Sequence, residues 1–365
     1  MFSMSSFIFL IIFCFSIFLF FRNLKKIIRN INLGRDGLVF LNKKERWKRV
    51  FFIAFGQSKM FKKPLVAILH LIVYLGFIII NIELIEIIID GIFGTHRVFS
   101  IMGKGYDILI GSFEILAFCV LFACFIFLIR RNILSIKRFL APEMKGWPKS
   151  DANFILIFEI MLMSAFLMMN AADLVLQAKN FGHYNQVGYF PVSQFLTPYI
   201  SNYSVSSLVF IERFCWWSHI IGILGFLNYL VISKHLHILF AFPNTYYSNL
   251  NPKGQFTNMD SVTKEVKTML NPNADTFTQS ENNKTPDRFG AKDVTDLNWL
   301  QLLNAYSCTE CGRCTSECPA NITGKKLSPR KIMMDVRDRV EEIGKNLDKN
   351  GPDFNDDKSL LHDFI

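Results

Sequence analysis

Residues 64–89 read PLVAILHLIVYLGFIIINIELIEIII, and this run decides the fold. Its apolar residues fall on every side of a helix rather than on one face, so no side is left for water. A helix that crosses a bilayer needs about 20 such residues. Four further stretches qualify, at residues 2–21, 108–129, 152–176 and 214–242. With 51% hydrophobic and 15% aromatic residues, the chain carries more apolar side chain than a water-soluble domain uses. The fold class is therefore an all-α membrane protein. A five-helix transmembrane bundle over residues 1–242 is followed by a polar tail that belongs in water.

The net charge of +10 would suit nucleic acid, but its placement excludes that partner. Thirteen basic residues, from Arg22 to Lys63, lie between the first two spans and face only Asp36 and Glu45. The connection between the third and fourth spans adds Arg130, Arg131, Lys137, Arg138, Lys145 and Lys149. Basic loops stay cytoplasmic, so the N-terminus is expected outside and the tail inside, as five spans require. The first apolar block has its basic cluster after it and no positive segment before it. It reads as a retained anchor rather than a cleaved leader.

The tail divides in two. Residues 243–294 are rich in Asn, Thr, Lys, Asp and Pro and read as a flexible linker. Order is expected to resume at residues 295–365, with Thr295 as an N-cap and Leu297, Leu300 and Leu303 on a short helix. Next comes the run Cys308-Thr309-Glu310-Cys311-Gly312-Arg313-Cys314-Thr315-Ser316-Glu317-Cys318-Pro319. Then Ser328 and Pro329 open a helix carrying Ile332, Met333, Val336, Val340 and Ile343 on one face. The spacing C-x2-C-x2-C-x3-C-P is that of thiolates closing on a 4Fe–4S cluster, and Gly312 lets the backbone turn tightly among them. Zinc sites use two separated knuckles, and disulfides do not persist in a reducing cytoplasm. Helix, cluster loop and helix make a small ferredoxin-like α-helical module. In two-cluster ferredoxins the fourth cysteine of such a run serves the other cluster, so Cys318 either completes this one or reaches for a second. The remaining four cysteines lie in or beside apolar spans and read as small core hydrophobes.

Histidine is costly in hydrocarbon and marks functional candidates there. His70 lies about 9 Å inside the second span, counted from its cytoplasmic end. His219 and His237 are 18 residues apart, which on one continuous helix puts both rings on the same face about 27 Å apart. His235 points about 160° away from His219. A b-type haem held by His70 and His237 is the first expectation, with a second on His219 if His96 or His183 supplies its partner. Glu83, Glu86, Glu114, Glu159, Asp173 and Glu212 lie in or near spans as proton or quinone groups, or as helix-to-helix hydrogen bonders.

With His70, His219 and the ending Ser233-Lys234-His235-Leu236-His237, the five-helix module resembles the dihaem cytochrome b subunit of respiratory nitrate reductase. With the cysteine run added, the chain resembles more closely the membrane-bound iron–sulfur oxidoreductases related to heterodisulfide reductase. That resemblance covers nearly the whole chain. It implies a bacterial or archaeal inner-membrane subunit that passes electrons between the quinone pool, through haem b, and a cytoplasmic cluster. It also implies a soluble iron–sulfur partner of the CCG type or a flavoprotein, on which the substrate site would lie. Two departures stand out. The nitrate reductase subunit has two histidines on its second helix, where only His70 occurs here. The second cysteine run of the family does not follow the first, so a truncated or split form is expected. Two other readings join transmembrane helices to a ferredoxin module: an assembly factor for a respiratory oxidase, and a redox sensor. Neither needs histidines spaced through the bilayer.

Overall fold

The computed structural model describes residues 4–37, 42–134, 136–252, 254–255, 258–271, 290–352, 354 and 358. Two compact units divide the chain. One comprises Met1–Lys25, Gly56–Leu236 and Thr309–Gly312, and the other Lys26–Phe55, His237–Cys308 and Arg313–Ile365.

Among the described residues five helices are long and apolar enough to cross a membrane: α1 (Met4–Ile31), α2 (Pro64–Phe93), α3 (Lys104–Asn132), α4 (Trp147–Ala178) and α5 (Val205–Leu230). In the first unit α2 packs on α3, α3 on α4, and α4 on α5. Against this row α1 touches α5 through Phe9, whose ring lies 5.8 Å from that of Trp216. The same ring covers Gly91 of α2, where a Cβ would come within 2.6 Å of it, so only glycine admits the aromatic side chain. Lower down, Ser16 donates to the Leu224 carbonyl at 3.1 Å and accepts from Asn228 at 2.8 Å. Such pairs satisfy polar groups that lipid could not. The core holds Phe113, Phe166 and Ile220, while Phe18, Ile68, Phe122 and Phe210 stand on the outside, an apolar surface suited to a bilayer.

The fifth span differs from its sequence reading of 214–242. Its helix begins at Val205, where the Ser204 side chain caps the Ser207 amide at 3.2 Å, and it ends at Leu230. The break has a local cause. Ser233 Oγ accepts from the His235 amide at 3.2 Å, and Asp151 accepts from the Lys234 amide at 3.1 Å, which diverts two donors from the helical ladder. A single turn at Lys234–Leu236 follows, and then a separate helix, α6 (His237–Tyr246). His219 and His237 are thus not on one continuous helix, and the shared-face geometry expected for them does not hold.

The second unit is built around α7 (Trp299–Tyr306) packed on α8 (Pro329–Asn350). The N-cap expected at Thr295 falls three residues later, at Asn298. Asp293 caps a short turn over Val294–Asp296, and Asn298 and Gln301 then exchange side chain-to-backbone bonds of 2.9 Å each, a reciprocal cap. Ser328 and Pro329 do open α8. Its buried face centres on Met334, Val336 and Val340, with Ile332, Met333 and Ile343 half-buried. At Gly344 a Cβ would lie 2.4 Å from the Asn30 amide, which itself donates to the Tyr306 hydroxyl at 3.1 Å. Basic residues of the first connection pair within this unit: Lys26 and Arg29 with Asp348, and Arg35 with Asp296. Arg46 donates to the Tyr246 carbonyl at 2.6 Å. Of the expected linker, residues 243–246 continue α6 and Asp260–Leu270 is helical. Residues 272–289 lie outside the described residues.

Candidate functional site

The cysteine run is a chain of short turns. Cys308 follows the last turn of α7, its amide donating to the Ala305 carbonyl at 3.2 Å. Glu310 and Gly312 both adopt left-handed backbone, with φ of 56° and 73°. For Gly312 that is cheap. For Glu310 it costs energy, and strain of this kind persists where the surroundings hold it. Cys314 lies in a one-turn helix (Arg313–Ser316), and Cys318 precedes another (Pro319–Ile322). Cys308, Cys311 and Cys318 are half-buried and Cys314 is exposed. Among the described residues no three His, Cys, Asp or Glu side chains close to metal-binding distance. As a donor set, four soft thiolates on a tightly turning backbone fit an iron–sulfur cluster better than a hard cation.

What holds Glu310 was not visible in the sequence. Its carboxylate accepts from Lys234 Nζ at 2.5 Å, both side chains are nearly buried, and Lys234 also donates to the Pro148 carbonyl at 2.8 Å. Asp151 stands 3.8 Å from the same ammonium and accepts from the Tyr229 hydroxyl at 2.5 Å. Arg131 faces Glu310 and Asp151 as well, so two cations balance two carboxylates. Burial pulls Lys234 below the ordinary lysine range, against the opposing pull of Glu310 and Asp151. A lone lysine where an apolar span ends, and an acid between two cysteines, were the only sequence signals. In the second unit, fully buried Arg330 sits beside the run, its amide donating to Thr315 Oγ at 3.2 Å.

The histidines are divided. His219 is buried on α5, and its Nδ1 lies 3.0 Å from the Leu162 carbonyl. A carbonyl only accepts, so Nδ1 carries the proton and Nε2 keeps its lone pair, the arrangement in which histidine ligates metals. His70 is half-buried on α2. His237 opens α6 in the second unit, and the His235 ring packs edge-on against Phe226. His96 and His183, considered as partners for His219, pack on each other with ring centroids 5.0 Å apart. Burial pushes His96 down to about 3, against the pull of Asp173, so it is neutral.

Membrane-length helices joined to a ferredoxin-type cysteine run are the features of membrane-associated iron–sulfur proteins of electron transfer. The comparisons with known proteins agree. The chain is 28% identical over 345 residues to the probable iron-sulfur-binding oxidoreductase FadF of Bacillus subtilis (strain 168), covering 94% of this chain and 44% of that protein. It is 26% identical over 310 residues to the EtfAB:quinone oxidoreductase of Syntrophomonas wolfei, covering 83% and 38%. A stretch of 47 residues is 40% identical to a probable membrane-anchored ferredoxin of Chromohalobacter salexigens, covering 13% and 7%. The chain therefore spans less than half the length of these relatives. No family model and no solved structure matches it.

Proposed function

We propose that the chain is a membrane-anchored electron-transfer subunit. It passes electrons between the quinone pool and a cytoplasmic 4Fe–4S cluster, and from there to or from a soluble iron–sulfur or flavoprotein partner. The observation that carries this reading is the joining of five membrane-length helices to a C-x2-C-x2-C-x3-C-P run in one chain. The name of one relative, a quinone oxidoreductase, supports the quinone.

Cys308, Cys311, Cys314 and Cys318 would hold the cluster, which supplies one-electron storage when bound. Lys234 fixes the Glu310 carboxylate and with it the turn that presents Cys311. Haem b, the cofactor expected from His70, His219 and His237, would find His219 the best prepared: its Nδ1 hydrogen bond fixes the tautomer that leaves Nε2 for iron. The basic connections support a tail on the cytoplasmic side and an N-terminus outside. A reduced-minus-oxidised spectrum of purified membranes tests the haem. The expected result is a b-type α-band, lost in His219→Ala. A spectrum without that band would remove haem from this reading and leave the cysteines standing.

A further inference from the structure

At the end of the bundle where α2 finishes and α5 begins, the first unit buries six carboxyl groups with one guanidinium group, and a second, half-exposed guanidinium stands beside them. The acids are Glu83, Glu86, Asp90, Glu114, Asp173 and Glu212, and the bases Arg97 and Arg213. Five of the six acids are held by donors. Asp90 accepts from Thr95 and from the amides of Arg97 and Val98. Glu86 accepts from the Phe99 amide at 2.8 Å and the Tyr106 hydroxyl at 3.2 Å. Glu114 accepts from Asn170, Ser193 and the Val192 amide, Asp173 from Arg97 and Gln177, and Glu212 from Arg213 and Tyr184. Glu83 is different. It is 2% exposed, and its Oε2 is buried with no hydrogen-bond partner among the described residues. A buried carboxylate without donors is very costly, whereas a carboxylic acid is far less so.

Space leads to it. Glu83 lines a cavity of about 20 Å³ together with Glu86, Asp90, His96, Arg97 and Glu212. That volume holds one water, and these groups supply the two to four polar partners a buried water needs. Asp90, His96 and Trp216 also line a second cavity of about 270 Å³, whose rim includes exposed Ser5, Thr95 and His183. The two cavities share Asp90, His96 and Trp216 in their walls, so the water-sized space at Glu83 adjoins a larger one whose rim is exposed.

We propose that Glu83 is a proton-storing group that exchanges its proton with the water phase at this end of the bundle, through the two cavities. Glu86, Asp90, His96, Arg97 and Glu212 face the same small cavity, so the proton on Glu83 is held in their combined field. The step is a proton transfer alone: Glu83 loses H⁺ to the cavity water as that water passes one outward, and the reverse returns it. Its use rests on the reading above: in a membrane electron carrier, such a carboxyl takes or gives the proton that accompanies electron arrival. The exchange itself does not depend on that reading.

The test is infrared spectroscopy of the full chain in lipid nanodiscs on transfer from H₂O to D₂O. The expected result is a protonated-carboxyl C=O band that shifts in D₂O and is lost in Glu83→Gln. Glu83→Asp controls for folding and should keep a band at a changed frequency. Ser5→Trp, which narrows the rim of the larger cavity, should keep the band and slow its shift. A spectrum unchanged in Glu83→Gln would overturn the proposal, as would a shift of undiminished speed in Ser5→Trp. Since no electron donor is added, failure here would leave the electron-transfer reading untouched, and the reverse holds too.

Discussion

Replacing Lys234 with Met should release the turn that carries Cys311. The ammonium is 2.5 Å from Glu310 and the Lys234 side chain is only 10% exposed, against 2% for that of Glu310. Removing one partner of a buried ion pair costs about 3–5 kcal/mol, because the other charge is left uncompensated. Arg131 still faces Glu310 and softens the loss, so about 3 kcal/mol is the working figure. The loss falls on a four-residue segment (Thr309–Gly312) rather than on the whole bundle, so it should appear as local opening. At about 1.4 kcal/mol per decade, amide exchange over that segment should quicken roughly a hundredfold. Hydrogen–deuterium exchange with peptide mass analysis reads this directly. The double variant Lys234→Met/Glu310→Gln removes both charges and should recover most of the protection, since a neutral pair does not leave a buried ion. Unchanged exchange over residues 309–312 in Lys234→Met would refute the reasoning. So would equal exchange in the single and double variants, which would show that lost packing rather than the stranded carboxylate governs the turn.

Gly344→Ala should lower thermal stability, because its Cβ meets the Asn30 amide at 2.4 Å and overpacking of this kind costs about 1–3 kcal/mol. Shortening the opposing side chain in Asn30→Ala/Gly344→Ala should return part of the loss in the same melt, and a melt unchanged in Gly344→Ala would rule the close approach out. Hydrogen bonds from Lys26 and Arg29 hold Asp348 below the usual carboxylate range. Its contribution is therefore present above the unfolded value and lost as pH falls through the folded one. The Asp348→Asn variant should lack that part of the acid limb; the effect should be small and shrink with salt, since both cations are well exposed.

The parts of the fold that were legible rest on local chemistry. The run at 64–89 is apolar all round, and no tertiary contact is needed to read it as a spanning helix. Ser328 followed by Pro329 states a helix start in two residues, and α8 begins there. The fifth span was misjudged at both ends for opposite reasons. Ser206, Ser207, Glu212 and Arg213 make its first turns look like loop, although Glu212 is buried among partners from elsewhere in the bundle. Its end is hidden because Val231, Ile232, Leu236 and Ile238 keep the apolar pattern running, while the break is enforced by Asp151 from another helix. The cysteine run was read from its spacing alone. Its attachment was not legible there, since Lys234 and Glu310 are 76 residues apart and nothing in either neighbourhood names the other.

The central claim is that electrons pass between a membrane quinone and the cluster held by Cys308, Cys311, Cys314 and Cys318. It is tested most directly by reducing the purified protein with dithionite under anaerobic conditions and removing the excess. A short-chain quinone is then added while the cluster absorbance and paramagnetic signal are followed. The wild-type cluster should reoxidise, His219→Ala should keep the cluster signal but reoxidise more slowly, and Cys311→Ser should show no cluster to follow. A wild-type cluster that forms and stays reduced in the presence of quinone would contradict the claim.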